Sequence, residues 1–225
     1  DTITTLTSTA GKVTFDAPIH NALSTAPQSL TINAADDVTF SGEVGEATSA
    51  LGDVVVNTPA VTTFAKSVDA ASLKTDVSGV VVATAGNQVV IQGGSITTSG
   101  DQHFAELVVL DKTDTSVDTI TTLTSTAGKV TFDAPIHNAL STAPQSLTLN
   151  AADDVTFSGE VGEATSALGD VVVNTPAVTT LAKSVDAASL KTDVSGVVVA
   201  TAGNKVVIQG GSITTSGDQH FAELV

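Results

Sequence analysis

The sequence predicts an all-β fold, a right-handed parallel β-helix (β-solenoid) with about five coils in each 117-residue repeat. Three observations carry this prediction. The chain of 225 residues duplicates itself, since Asp1-Thr2-Ile3-Thr4-Thr5-Leu6 returns as Asp118-Thr119-Ile120-Thr121-Thr122-Leu123, an offset of 118 − 1 = 117. Over the 108 positions that can be aligned, only Ile32/Leu149, Phe64/Leu181 and Gln88/Lys205 differ. Inside each copy a shorter pattern recurs at intervals of about 24 residues, the length of one solenoid coil. The composition favours strands: there are 36 threonines, 41% hydrophobic residues, and no Cys, Met, Trp or Tyr.

The shorter pattern is clearest in Val38-Thr39-Phe40-Ser41-Gly42-Glu43-Val44. Val38, Phe40 and, past Gly42, Val44 point inward while Thr39 and Glu43 point outward, as on a half-buried strand. The pattern appears first as Val13-Thr14-Phe15-Asp16-Ala17-Pro18-Ile19, later as Thr62-Thr63-Phe64-Ala65-Lys66-Ser67-Val68, and with one insertion as Val89-Val90-Ile91-Gln92-Gly93-Gly94-Ser95-Ile96. A second apolar run precedes each later copy: Leu30-Thr31-Ile32-Asn33, Val54-Val55-Val56-Asn57 and Val80-Val81-Val82-Ala83. Strands this short cannot bury their own apolar faces, but units stacked on one another can. Phe15, Phe40 and Phe64 are expected to form an interior stack continued by Ile91, and again by Phe132, Phe157 and Leu181 with Ile208. Residues 104–115 are the least regular, and Leu110-Asp111-Lys112-Thr113-Asp114-Thr115 reads as a longer surface turn.

The organisation expected is therefore repeat 1 over residues 1–117 and repeat 2, an incomplete copy, over 118–225, continuous as one solenoid. The competing reading is two tandem immunoglobulin-like sandwiches. A sandwich does not require similarity every two dozen residues, and it usually places a large aromatic in its core. A start at Asp1 rather than Met is expected of a processed product or of a segment of a longer chain.

A net charge of −16, with lysine as the only basic side chain, argues against nucleic acid and against anionic membrane surfaces. No run approaches the ~20 apolar residues of a membrane span, so no membrane insertion is expected. Absence of cysteine removes disulfides and thiolate metal sites.

Carboxylate pairs are the first candidates for chemistry, because some β-helical enzymes cleave acidic polysaccharides. Asp36-Asp37 and Asp153-Asp154 are adjacent, which suits a solvated turn, and a sugar site would also want aromatic platforms and a cationic stabiliser. His20, His103, His137 and His220 have no partner at ligand spacing and read as exposed residues flanking strands. Gly93-Gly94 and Gly210-Gly211 read as tight corners, since no Gly-Lys-Ser/Thr follows. No calcium loop of the Asp-x-Asp-x-Asp or glycine-aspartate nonapeptide kind occurs. Asn33, Asn57, Asn150 and Asn174 fall at equivalent coil positions and suggest amide ladders. A flat ice-binding rank of threonine would need Thr on every coil, but Thr14, Thr39 and Thr63 give way to Val90. The expected catalytic, cofactor-binding and metal-binding residues are therefore none, and the expected cofactors are none.

Val38-Thr39-Phe40-Ser41-Gly42-Glu43-Val44, Thr98-Ser99-Gly100-Asp101-Gln102-His103-Phe104 and the Thr-rich Leu123-Thr124-Ser125-Thr126-Ala127-Gly128 together resemble the repeats of filamentous-haemagglutinin-like adhesins, large bacterial surface proteins. The chain departs from them in its strong acidity. The resemblance implies an extracellular or cell-surface parallel β-helix that acts as an adhesin shaft or fibre. Repetition leads to the same class, because near-identical units extend length and multiply weak contacts more readily than they build one unique active site. The expected partners are further copies of the repeat, end to end or side by side, and a host or matrix glycan or protein. The alternative is a polysaccharide-binding or polysaccharide-cleaving β-helix.

Overall fold

The two-residue alternation of apolar and polar side chains is realised throughout a computed structural model that describes residues 2–22, 25–76, 86–112, 120–139, 143–193 and 203–225. The described residues contain strands and no helix. In the first copy these are β1 (Ile3–Ser8), β2 (Val13–Phe15), β3 (Ser29–Ala34), β4 (Val38–Phe40), β5 (Leu51–Asn57), β6 (Val61–Phe64), β7 (Val68–Thr75), β8 (Gln88–Ile91), β9 (Ser95–Thr98), β10 (Gln102–Phe104) and β11 (Leu107–Leu110). The second copy follows with β12 (Ile120–Ser125), β13 (Val130–Phe132), β14 (Ile136–Asn138), β15 (Ser146–Ala151), β16 (Val155–Phe157), β17 (Leu168–Asn174), β18 (Val178–Leu181), β19 (Val185–Thr192), β20 (Lys205–Ile208), β21 (Ile213–Thr215) and β22 (Gln219–Phe221). Every named strand pair is parallel, and each joins one coil to the next, so the fold is a parallel β-solenoid. The Val80–Ala83 run and the 113–115 part of the expected surface turn lie outside the described residues.

Register defines three faces. The first runs inward through Leu6, Ile32, Val56, Thr75, Phe104, Phe132, Phe157, Leu181 and Ile208. The second runs through Phe15, Phe40, Phe64, Ile91, Leu110 and Asn138. The third begins with the single bridges Ile19–Val44–Val68 and continues as Ile96, Leu123, Leu149, Val173 and Thr192. The interior between them is mainly apolar, with Ile32, Phe64, Leu73, Phe104, Leu123 and Leu149 all fully buried.

The phenylalanine stack is present but divided. Phe15, Phe40 and Phe64 stack at 5.2 and 5.1 Å on the second face, whereas Phe104, Phe132 and Phe157 stack at 5.2 and 5.3 Å on the first. Counterpart residues therefore occupy different faces: Leu6 is on the first face and Leu123, its copy, is on the third. Between them the chain makes four full turns, Leu6 to Phe104, and then crosses two more faces through Leu110 to Leu123. By this register one repeat spans about four and two-thirds turns of about 25 residues each, close to the five coils expected. The two copies are rotated by a third of a turn about the axis.

Coil length is not uniform, as long strand β7 shows. Its first residues, Val68–Ala70, pair with β9, and its last, Leu73–Thr75, pair with β10, so one strand serves two faces without a loop between them. The burial alternation skips a step at Ser72-Leu73, where both side chains are buried. This turn, from Val56 to Thr75, takes only 75 − 56 = 19 residues.

Candidate functional site

Turns between successive faces hold the adjacent aspartates, Asp36-Asp37 between the first and second faces and Asp153-Asp154 between the third and the first. Asp36 Oδ1 accepts the Asp37 N–H at 2.9 Å, and Asp37 Oδ1 accepts the Val61 N–H of the next coil at 3.2 Å. The Lys12 ammonium, 2.7 Å from Asp37 Oδ2 on the coil below, and the Val61 N–H hold the Asp37 carboxyl below the usual carboxylate range. Asp153 and Asp154 repeat the arrangement, with Asp154 Oδ1 accepting the Val178 N–H at 2.9 Å. These carboxylates tie one coil to the next. The asparagine ladders are also present, Asn57 donating to Asn33 and Asn174 to Asn150 at 2.9 Å. Gly94 has φ +76, and a Cβ on Gly93 would meet the Lys66 carbonyl at 2.1 Å, so the first glycine pair is a tight corner.

A buried acidic cluster lies where β7 ends, and no local sequence signal marked it. Asp76, at φ 49, accepts the Thr58 N–H at 2.8 Å through Oδ1 and the Asn87 side-chain amide at 2.7 Å through Oδ2. Burial pushes its pKa up against those two hydrogen bonds. On the next coil Glu106, 5% exposed, accepts the Thr75 hydroxyl at 2.9 Å through Oε2, while its Oε1 has no partner. Burial first and the Asp76 charge second push the Glu106 carboxyl up to about 8. The group is therefore largely protonated at neutral pH. Gln102, fully buried at the start of β10, donates to the carbonyls of Ile96 and Thr124 and to Thr98 Oγ1.

The histidines separate into different environments. His20 and His220 are exposed, and His103 Nε2 lies 2.7 Å from Asp133 Oδ2 on the adjacent coil. His137 is half-buried and meets Glu160 and Glu163, the three side chains offering ligand atoms that all lie within 4.8 Å of one another. This convergence was not legible as a motif, because the residues are 23 and 26 apart and are brought together only by coil stacking. In the first copy the counterparts Glu43 and Glu46 face Asp69, whose carboxyl is pushed up by burial and then by those two charges.

No family model, no curated protein and no solved structure matches this chain. Its residues and geometry are thus the whole basis for a functional reading.

Proposed function

We propose that this chain is a structural, non-catalytic repeat segment of a secreted or cell-surface adhesin shaft or extracellular fibre. The observation that carries the reading is the seam between the copies. Strands β9, β10 and β11 of the first copy pair with β12, β13 and β14 of the second, one pair on each face, and Phe104 stacks on Phe132 across the seam. The core runs through the seam without a polar cap. Phe221 pairs with Thr192 as Phe104 pairs with Thr75, so the second copy offers a third the platform that it received from the first. A unit of this kind adds length at constant cross-section.

The rotation between copies supports the second half of the reading. A shaft whose identical units are turned by a third of a circle presents each surface feature in three directions, and every third repeat brings it back into line. Weak contacts to a matrix glycan, a host protein or a neighbouring shaft then accumulate around the circumference as avidity. The right-handed coil expected of parallel crossovers fits the same picture.

Electron micrographs of the native material test this proposal, with thin unbranched rods of uniform width as the expected result. Scattered globules would overturn it. A glycan array combined with lyase and hydrolase assays tests the polysaccharide reading; turnover lost in D36N/D153N would replace the structural reading with an enzymatic one.

A further inference from the structure

The register around His137 builds a small outward-facing recess. Ile136, Val161 and Val185 are bridged in line on three successive coils, which sets His137, Gly162 and Asp186 side by side one residue further on. The backbone is pinned there, with the Ile136 N–H donating to the Glu160 carbonyl at 2.8 Å and the Gly162 N–H to the Ile136 carbonyl at 2.7 Å. Gly162 has φ +68, and a Cβ on it would meet the Asp186 carbonyl at 2.1 Å, so no side chain can cover the imidazole from the coil above.

Glu160 and Glu163 flank this recess on either side of the Val161-Gly162 step. Glu163 Oε1 accepts the Ser166 hydroxyl at 3.0 Å and the Thr165 hydroxyl at 3.4 Å, and Glu160 Oε1 accepts the Ser184 hydroxyl at 3.5 Å. His137 Nε2 is shielded from solvent and has no hydrogen-bond partner, and one nitrogen of the ring lies within 4.8 Å of a carboxylate oxygen of each glutamate. Among the described residues neither glutamate is ion-paired with a lysine. Asp186, one coil on, adds negative charge without belonging to the ligand set.

We propose that His137, Glu160 and Glu163 form a three-ligand site for a divalent transition-metal cation, with Zn²⁺ as the best match. One imidazole and two carboxylates suit zinc, which accepts three protein ligands and completes its shell with water. Calcium, by contrast, takes six to eight oxygens and no imidazole. Donor atoms on a tetrahedral zinc lie about 3.4 Å apart, so a set already within 4.8 Å closes by small rotations of the two glutamates. The hydroxyls of Ser166, Thr165 and Ser184 orient the carboxylates as an outer shell. The bound ion joins the coil of His137 to that of Glu160 and Glu163 outside the core, and it recurs once per repeat wherever a preceding coil covers the histidine. In the first copy His20 is exposed, and His20, Glu43 and Glu46 do not converge, which gives an internal control.

The test is calorimetric titration of the whole chain with ZnCl₂ and, separately, CaCl₂ at neutral pH, with thermal unfolding followed in parallel by circular dichroism. One zinc per chain is expected, with no saturable calcium binding, and a melting temperature that rises by roughly 5 °C or more at about 100-fold excess over Kd. H137A is expected to weaken zinc binding at least about tenfold, as is E160Q/E163Q, whose surface carboxylates can be neutralised without disturbing the core. H20A is expected to leave it unchanged. Absence of saturable zinc binding, or binding of equal strength in H137A and in E160Q/E163Q, overturns the proposal.

Discussion

Glu106 shows how a carboxyl inside a stacked core governs pH response. Its folded pKa of about 8 lies above the ordinary 4.5, so between those two values the folded state holds a proton that the unfolded state has released. Stability from this group is complete below pH 4.5 and is lost as pH rises towards 8; burial shifts Asp76 and Asp69 in the same direction. Thermal melts are expected to fall on going from pH 5 to pH 9, and E106Q is expected to flatten much of that slope. An unchanged slope in E106Q would show that another group is responsible. Asp76 predicts a sharper contrast. D76A leaves the Thr58 N–H and the Asn87 amide without their acceptor and is expected to cost about 2 kcal/mol or more in urea unfolding. D76N keeps a residue tolerant of positive φ, and its amide can donate to Asn87 Oδ1, which has no partner. It is expected to be closer to neutral at low pH and to become more stabilising as pH rises, because burial disfavours the charged form of Asp76 that the amide replaces.

Strands of three or four residues hold together here because each is sandwiched between two others in register. β4 illustrates this: Val38 and Phe40 are buried, and Phe40 touches rings on both sides at 5.2 and 5.1 Å. F40A removes the middle ring and is expected to cost ~3–5 kcal/mol, read as a lower urea midpoint. Phe64→Leu is expected to cost under ~1.5 kcal/mol, since the second copy already places Leu181 at that rung next to Phe157. A loss in F40A no larger than in F64L would show that the rings do not form one ladder. The bent strands β7 and β19 have a different task. They carry the chain over two faces with no turn between, which shortens that coil, and the longer coils that follow, Thr75 to Phe104 (104 − 75 = 29 residues) and Phe104 to Phe132 (132 − 104 = 28), leave the repeat short of five turns.

The rotated copies make a prediction that the absence of cysteine makes clean to test. His103 pairs with Thr131 across adjacent coils on the first face, and both side chains point outward. Parallel neighbours at ~4.8 Å suit disulfide geometry, so H103C/T131C is expected to cross-link on mild oxidation. Five whole coils would instead place Thr131, the copy of Thr14, on the second face above Val109, which actually pairs with His137. V109C/T131C is therefore expected to remain reduced, and the reverse outcome would restore a repeat of whole coils. A filament built on four and two-thirds turns also has an axial repeat of three units, which sets the spacing of any decoration along it.

Read along the chain, the alternation around Phe40 and its return near residues 15, 64 and 91 were enough for strands, stacking and a shared interior. The Asn33/Asn57 ladder was legible for the same reason, because equal spacing in sequence becomes vertical alignment in a solenoid. The same spacing misled where the coils are unequal. A 19-residue turn at β7 and a longer one after it average to the expected length, so the count of turns and the face on which each copy lands were set by where the strands pair. The buried Glu106–Asp76 cluster and the His137–Glu160–Glu163 recess were hidden for a related reason. Each joins residues from successive coils with no local spacing in common, and backbone hydrogen bonding between those coils is what brings their side chains within reach.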